Sequence, residues 1–169
     1  MTRLRLPESL VHHSRMRIIA LVVAALLAAQ VHAAPLPYDE TADAKADVQR
    51  ALSVAKSSGT PVLVIFGANW CADCRALDKA LSTGKNAELV AREFQVVKVD
   101  VGNFDRNLDL ARRYGNPIKK GIPAAVVLSP QEEVLYATRL GELADARHMS
   151  DTGIYDFFRR VAQAASRKQ

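Results

Sequence analysis

Both cysteines of the 169-residue chain fall within one five-residue stretch, Trp70-Cys71-Ala72-Asp73-Cys74. Two thiols at this spacing can pass two electrons as a pair, if the first is a good nucleophile and the second can reach it. The preceding residues, Val62-Leu63-Val64-Ile65-Phe66, form a short apolar run suited to a buried strand, and residues 71–81 read as a helix. Cys71 then lies where the helix begins. Free N–H groups and the helix dipole there favour a thiolate over a thiol. Cys74 follows one turn later, within reach of a mixed disulfide formed on Cys71.

Three other chemistries compete for the pair. Zinc needs about four ligands, and beyond residue 33 the chain offers only Cys71, Cys74 and His148. No metal site is expected. Covalent haem attachment needs a histidine directly after the second cysteine, where this chain has Arg75. A purely structural disulfide would close a tiny loop, the case in which cross-linking stabilises least. Thiol–disulfide exchange fits the strand–CxxC–helix setting best.

The elements that must hold this pair follow from the hydrophobic periodicity. Residues 39–58 read as an amphipathic helix stopped by Gly59 and Pro61. Strands are expected at 62–66, 94–101, 124–128 and 134–140. Further helices are expected at 71–81, 87–93, 108–114 and 154–165. Strands separated by helices favour parallel pairing, and the short 129–133 turn adds an antiparallel hairpin at the edge. The expectation is one α/β domain of three layers, with a mixed four-stranded central sheet flanked by helices.

Composition narrows the function classes. The chain is 49% hydrophobic and 24% charged, which excludes a disordered or collagen-like polymer. The formal charge of +5 is unevenly placed: residues 1–33 contain Arg3, Arg5, Arg15 and Arg17 against Glu8 alone. The remainder is nearly neutral, with its charges interleaved, so no nucleic-acid stripe stands out. Arg15-Met16-Arg17, the twelve apolar residues 18–29 and the small residues of Val31-His32-Ala33 describe a secretory signal peptide cut after Ala33. The run is shorter than the roughly 20 residues of a spanning helix. Met1 and Met16 are both possible starts. Residues 1–33 are therefore expected to be an export signal and 34–169 the mature domain, in a compartment where disulfides persist.

The stretch Phe66-Gly67-Ala68-Asn69-Trp70-Cys71-Ala72-Asp73-Cys74-Arg75 resembles the active-site segment of the thioredoxin superfamily. Val97-Lys98-Val99-Asp100 resembles the family's next core strand, and Gly121-Ile122-Pro123-Ala124 the segment carrying its cis-proline. The resemblance covers nearly the whole mature chain and is greatest to exported members, including the thioredoxin-like domain of the membrane electron importer. It implies a thioredoxin-like fold, Cys71 as attacking thiol, Cys74 as resolving thiol and Trp70 as an aromatic wall. It also implies a cis Pro123 facing the sulfurs, with the Ile122 backbone open to an extended substrate. Without it, cis would not be assigned, since only about 5–6% of X–Pro bonds are cis.

The chain departs from the family at Ile65, where thioredoxin keeps a buried carboxylate six residues before the first cysteine. Asp73 is the nearest candidate substitute by sequence. Lys98 matches a family lysine near the second cysteine, and a snorkelling strand lysine is the equal alternative. Residues 102–107 read as a turn capping the next helix, with a rim near the active site as the alternative; Lys119-Lys120 as a solvated pair, with attraction of an acidic partner as the alternative; and His148 as a surface residue.

These readings imply an exported, periplasmic thiol–disulfide oxidoreductase that reduces protein disulfides through Cys71 and Cys74 and needs no cofactor. Its expected partners are disulfide-containing exported proteins and a membrane thiol donor, and it is expected to be monomeric. The alternatives are a disulfide oxidase or isomerase, or a peptide-binding or chaperone module with idle cysteines. Asp73 beside Cys71 disfavours the thiolate and hence a strongly oxidising couple. Equilibration with glutathione should give a potential nearer about −270 mV than about −120 mV, and a value above about −150 mV contradicts this.

Overall fold

The computed structural model describes residues 36–168. The expected export signal lies outside them. Helix α1 (Ala44–Ser58) is followed by strand β1 (Val62–Gly67), helix α2 (Ala72–Leu81), helix α3 (Gly84–Glu93) and strand β2 (Gln95–Asp100). Helix α4 (Leu108–Arg113) and a 3₁₀ turn (Pro117–Lys120) lead to strands β3 (Ala124–Leu128) and β4 (Val134–Ala137). A second 3₁₀ turn (Ala146–His148) precedes helix α5 (Asp151–Ser166).

The four strands form one mixed sheet in the order β2-β1-β3-β4. β1 pairs in parallel with β2, but β3 runs antiparallel to β1 and β4 antiparallel to β3. The parallel pairing expected for helix-separated strands therefore holds only for β1 and β2. The helical part of the β2–β3 connection, α4, has six residues, about 9 Å of helix, against about 20 Å for a six-residue strand, so α4 itself does not carry the chain back along the sheet. The chain leaving β2 stays at the same end of the sheet and re-enters it there: Ala124 pairs with Phe66, near the C-terminal end of β1.

Side-chain alternation along β1 divides the core. Val62, Val64 and Phe66 pack with Val48 and Leu52 of α1 and with Leu110 of α4 on one face. Leu63 and Ile65 pack with Leu77 of α2, Leu89 of α3 and Phe158 of α5 on the other. β1 and β3 are buried along their whole length, which is why their sequences lack polar alternation.

Several boundaries differ from the sequence reading. α1 begins at Ala44, because the Asp43 carboxylate caps the Ala46 amide at 3.1 Å while Asp39 engages Thr41 in a separate turn. α3 starts at Gly84 instead of 87, and α5 starts at Asp151 instead of 154, with Ser150 Oγ capping Gly153. β4 stops at Ala137 instead of running to 140. There Thr138 Oγ accepts from the Ala125 amide and ends the regular ladder, and Glu142 caps the amides of Arg139 and Leu140.

Candidate active site

β1 ends at Gly67, and a side chain there would collide with the Tyr38 ring. Between this strand and α2 the chain makes a tight turn held from three sides. The Asn69 amide pairs with both backbone groups of Tyr38, accepting from its N–H at 3.0 Å and donating to its carbonyl at 2.8 Å. Trp70 Nε1 donates to the Gly102 carbonyl at 2.9 Å. Arg75 Nη1 donates to the Asn69 carbonyl at 2.7 Å. Asn69 was not singled out by sequence reasoning, because its partner lies 31 residues away in a segment with no motif of its own.

Cys71 is the N-cap of α2 and is disulfide-bonded to Cys74, with 5.2 Å between their Cα atoms. Its Sγ accepts from the Cys74 amide at 3.1 Å, the place an oxygen occupies in an ordinary helix cap. When the disulfide opens, the same N–H and the helix dipole stabilise a thiolate on Cys71. Cys74 is fully buried and Cys71 nearly so, while Trp70 beside them is 55% exposed. Its indole meets Phe104 edge-on, with ring centroids 6.2 Å apart. Phe104 lies in the segment for which the sequence offered a turn first and a rim near the active site second, and its ring stands against Trp70.

The Ile122–Pro123 peptide bond is cis. The Ile122 carbonyl oxygen lies 3.6 Å from Cys71 Sγ. The β1–β3 ladder begins beyond it, at the Phe66–Ala124 pair, so the Ile122 backbone is not used by the sheet. Trp70, Cys71, Ile122 and Pro123 are thus brought together at one end of the sheet.

Asp73 and Lys98 face elsewhere. The Asp73 carboxylate accepts from the Arg147 amide at 3.0 Å and lies 3.7 Å from its guanidinium, so it holds the 3₁₀ turn after β4 against α2. Its charge is shared with a cation, and the net field beside Cys71 is weaker than the sequence alone suggests. Lys98, opposite Ile65 in the β1–β2 register, extends to the Asp78 carboxylate of α2. Asp78, Lys98, Tyr38 and Ile65 line one cleft of about 190 Å³. The Tyr38 phenol is held above its ordinary pKa by burial, and then by the negative charges of Asp78 and Asp100. Among the described residues, no group of three His, Cys, Asp or Glu is placed to hold a metal, and no helix is long and apolar enough to cross a membrane.

A CxxC disulfide capping a helix, opposite a cis-proline loop on a mixed sheet, defines the thioredoxin class of fold. The thioredoxin-like family model matches residues 43–130, about half of the chain, and the protein belongs to that family. Over 76% of its length it is 58% identical, with a TM-score of 0.75, to a disulphide isomerase from Xylella fastidiosa Temecula1, covering 98% of that chain. A 107-residue stretch, 63% of the chain, is 28% identical to the thiol:disulfide interchange protein DsbD 2 of Pseudomonas aeruginosa. That match spans 18% of the longer protein. The fold is shared with a DsbH oxidoreductase at 17% identity and a TM-score of 0.50, over 81% of this chain and 89% of that one. Fold and CxxC together place the protein among thioredoxin-like thiol–disulfide oxidoreductases.

The Asp73 contact has a direct consequence. Asp73→Ala should lower stability by about 1–2 kcal/mol, the usual effect of losing a charged hydrogen-bond partner. It should also expose the Arg147 amide to faster hydrogen exchange. An unchanged exchange rate at Arg147 would show that Asp73 does not hold this turn.

Proposed function

We propose that the protein is exported to the periplasm and there reduces disulfides of other exported proteins. The supporting observation is the Cys71–Cys74 disulfide seated at the α2 N-terminus with the Ile122 carbonyl 3.6 Å from the leading sulfur. In this reading, residues 1–33 are the cleaved signal and 34–169 the working domain. The basic, apolar and small-residue pattern of that segment supports export.

The reaction runs in two exchanges. The Cys71 thiolate attacks one sulfur of a substrate disulfide; an S–S bond forms to Cys71, and the other substrate sulfur leaves as a thiolate and takes a proton. Cys74, deprotonated, then attacks Cys71 Sγ; the Cys71–Cys74 bond forms, and the second substrate sulfur leaves and is protonated. The substrate gains two electrons and two protons, and the protein loses the same. The exposed Trp70 face and the unused Ile122 backbone bind the extended substrate segment. A membrane thiol donor returns the pair to the dithiol state.

Cys74 needs a base for the second exchange, and Ile65 cannot serve. Asp78 follows Cys74 by four residues on α2, so the two share one side of the helix. Asp78 also opens onto the cleft shared with Tyr38 and Lys98. Asp78 is therefore assigned as proton acceptor and Lys98 as its positioning partner. Net isomerisation is the second reading, favoured by the 58% identity to a disulphide isomerase. An isomerase rearranges scrambled disulfides without consuming reductant in proportion, whereas a reductase consumes one dithiol per disulfide.

Cys71→Ser should abolish insulin reduction, and Cys74→Ala should strand covalent partners on Cys71 that mass spectrometry can name. Retained insulin reduction in Cys71→Ser would contradict the assignment. Asp78→Asn should lengthen the life of the mixed disulfide by about a hundredfold, the lower end of the range for loss of a positioned base. A lifetime equal to that of the unmodified protein would remove Asp78 from the mechanism.

A further inference from the structure

Beyond the sulfurs, the Trp70 face continues into an open groove of about 400 Å³ running between α4 and the first 3₁₀ turn. Phe104, Leu108 and Ile118 line it, and Gly121 closes the end nearest Ile122. Phe104 is 43% exposed and sits at a φ of 62°, a left-handed conformation that bulky residues rarely adopt. It is held there with its ring against Trp70. A large apolar side chain kept in solvent in this backbone conformation, continuous with the reactive site, has the character of a contact surface.

The rim of the groove is cationic. Arg112 and Lys119 line it, and the exposed Lys120 follows Lys119 in the chain, outside the lining. Among the described residues, none of the three has a carboxylate within ion-pair distance. The neighbouring cations do: Lys45 with Asp109, Arg113 with Glu132, and Arg106 with Asp100 and Glu40. Of the other acids in these loops, Asp109 is paired with Lys45, whereas Asp105 and Glu142 accept from backbone amides, of Asn103 and of Arg139 and Leu140, and keep their charge. Two cations without an ion-pair partner, Arg112 and Lys119, therefore line the groove, and a third, Lys120, stands next to Lys119 in the chain.

We propose that this groove is a docking subsite for an acidic segment of the partner protein, lying next in sequence to the cystine that Cys71 attacks. The proposal rests on the thiol-exchange reading above. The strip takes one or two apolar side chains of that segment, while Arg112, Lys119 and Lys120 face its carboxylates. Such charges act chiefly on encounter and register and so favour one class of substrate over another.

The test uses the reduced full-length protein and three cystine peptides of one core sequence. The residues flanking the cystine are three Glu, three Gln or three Lys, placed on either side in turn. In low salt, the Glu peptide should be reduced about fivefold faster than the Gln peptide in at least one placement, the order expected of a few exposed ion pairs. The Lys peptide should be slowest, and about 0.5 M salt should bring the three rates together. The double variant Lys119→Glu, Lys120→Glu should reverse the order, and the double Lys→Arg variant should keep it. The ratio of rates within each variant is unaffected by any loss of folded protein. Equal reduction of all three peptides, or a preference unchanged by charge reversal, overturns the docking proposal alone. Reduction of none removes the exchange chemistry and this proposal with it. A preference that vanishes as protein concentration rises assigns the groove to a second copy of the chain and overturns the proposal.

Discussion

The N–H of Cys74 points at the sulfur of Cys71, and most of the local architecture serves that contact. A helix must start at Cys71 for its first amides to be free, and it must be fixed for the sulfur to stay in their field. The fixing is done by four hydrogen bonds: two between Asn69 and Tyr38, one from Trp70 to Gly102 and one from Arg75 to Asn69. The bare Cα of Gly67 leaves room for the Tyr38 ring, so the N-terminal arm can lie against the end of β1. Helix cap, turn and arm therefore act as one unit, and loosening any of them frees the sulfur from its field.

The second constraint is the direction of β3. A parallel β3 would have entered the sheet at the far end, with Pro123 a strand length away from the sulfurs. In the structure the 101–123 connection stays at one end of the sheet, and β3 starts beside the C-terminal end of β1. The Ile122–Pro123 loop and the Phe104 loop then both border Cys71. The reactive sulfur, the unused Ile122 backbone and the basic groove therefore share a single rim.

Much of this was legible from residue types alone. The buried run at 62–66, the CxxC, the Gly59 stop and the hairpin at 129–133 are local signals, and they mark the local elements. The resemblance carried further, to the cis Pro123, which periodicity could not have assigned. What was missed depends on contacts across the fold. The orientation of β3 shows only in its pairing with β1, which no window of sequence displays. Asp73 looked like a neighbour of Cys71 because it stands between the cysteines, yet its partner is Arg147, 74 residues on. Asp78 drew no notice because its meaning comes from Lys98 on β2 and from the cleft below Ile65. Lys119 and Lys120 allowed either a solvated pair or a lure for an acidic partner, and the sequence could not show the groove that Lys119 lines.

Function here depends on unequal sulfurs: one made nucleophilic by the start of α2, the other sheltered behind it. The most direct measurement is the rate of alkylation of each cysteine in the reduced protein as pH is varied, resolved by peptide mass spectrometry. Cys71 should react at pH values where an ordinary thiol is still mostly protonated, and Cys74 should stay slow throughout. Two equally inert cysteines, or a faster Cys74, would contradict this.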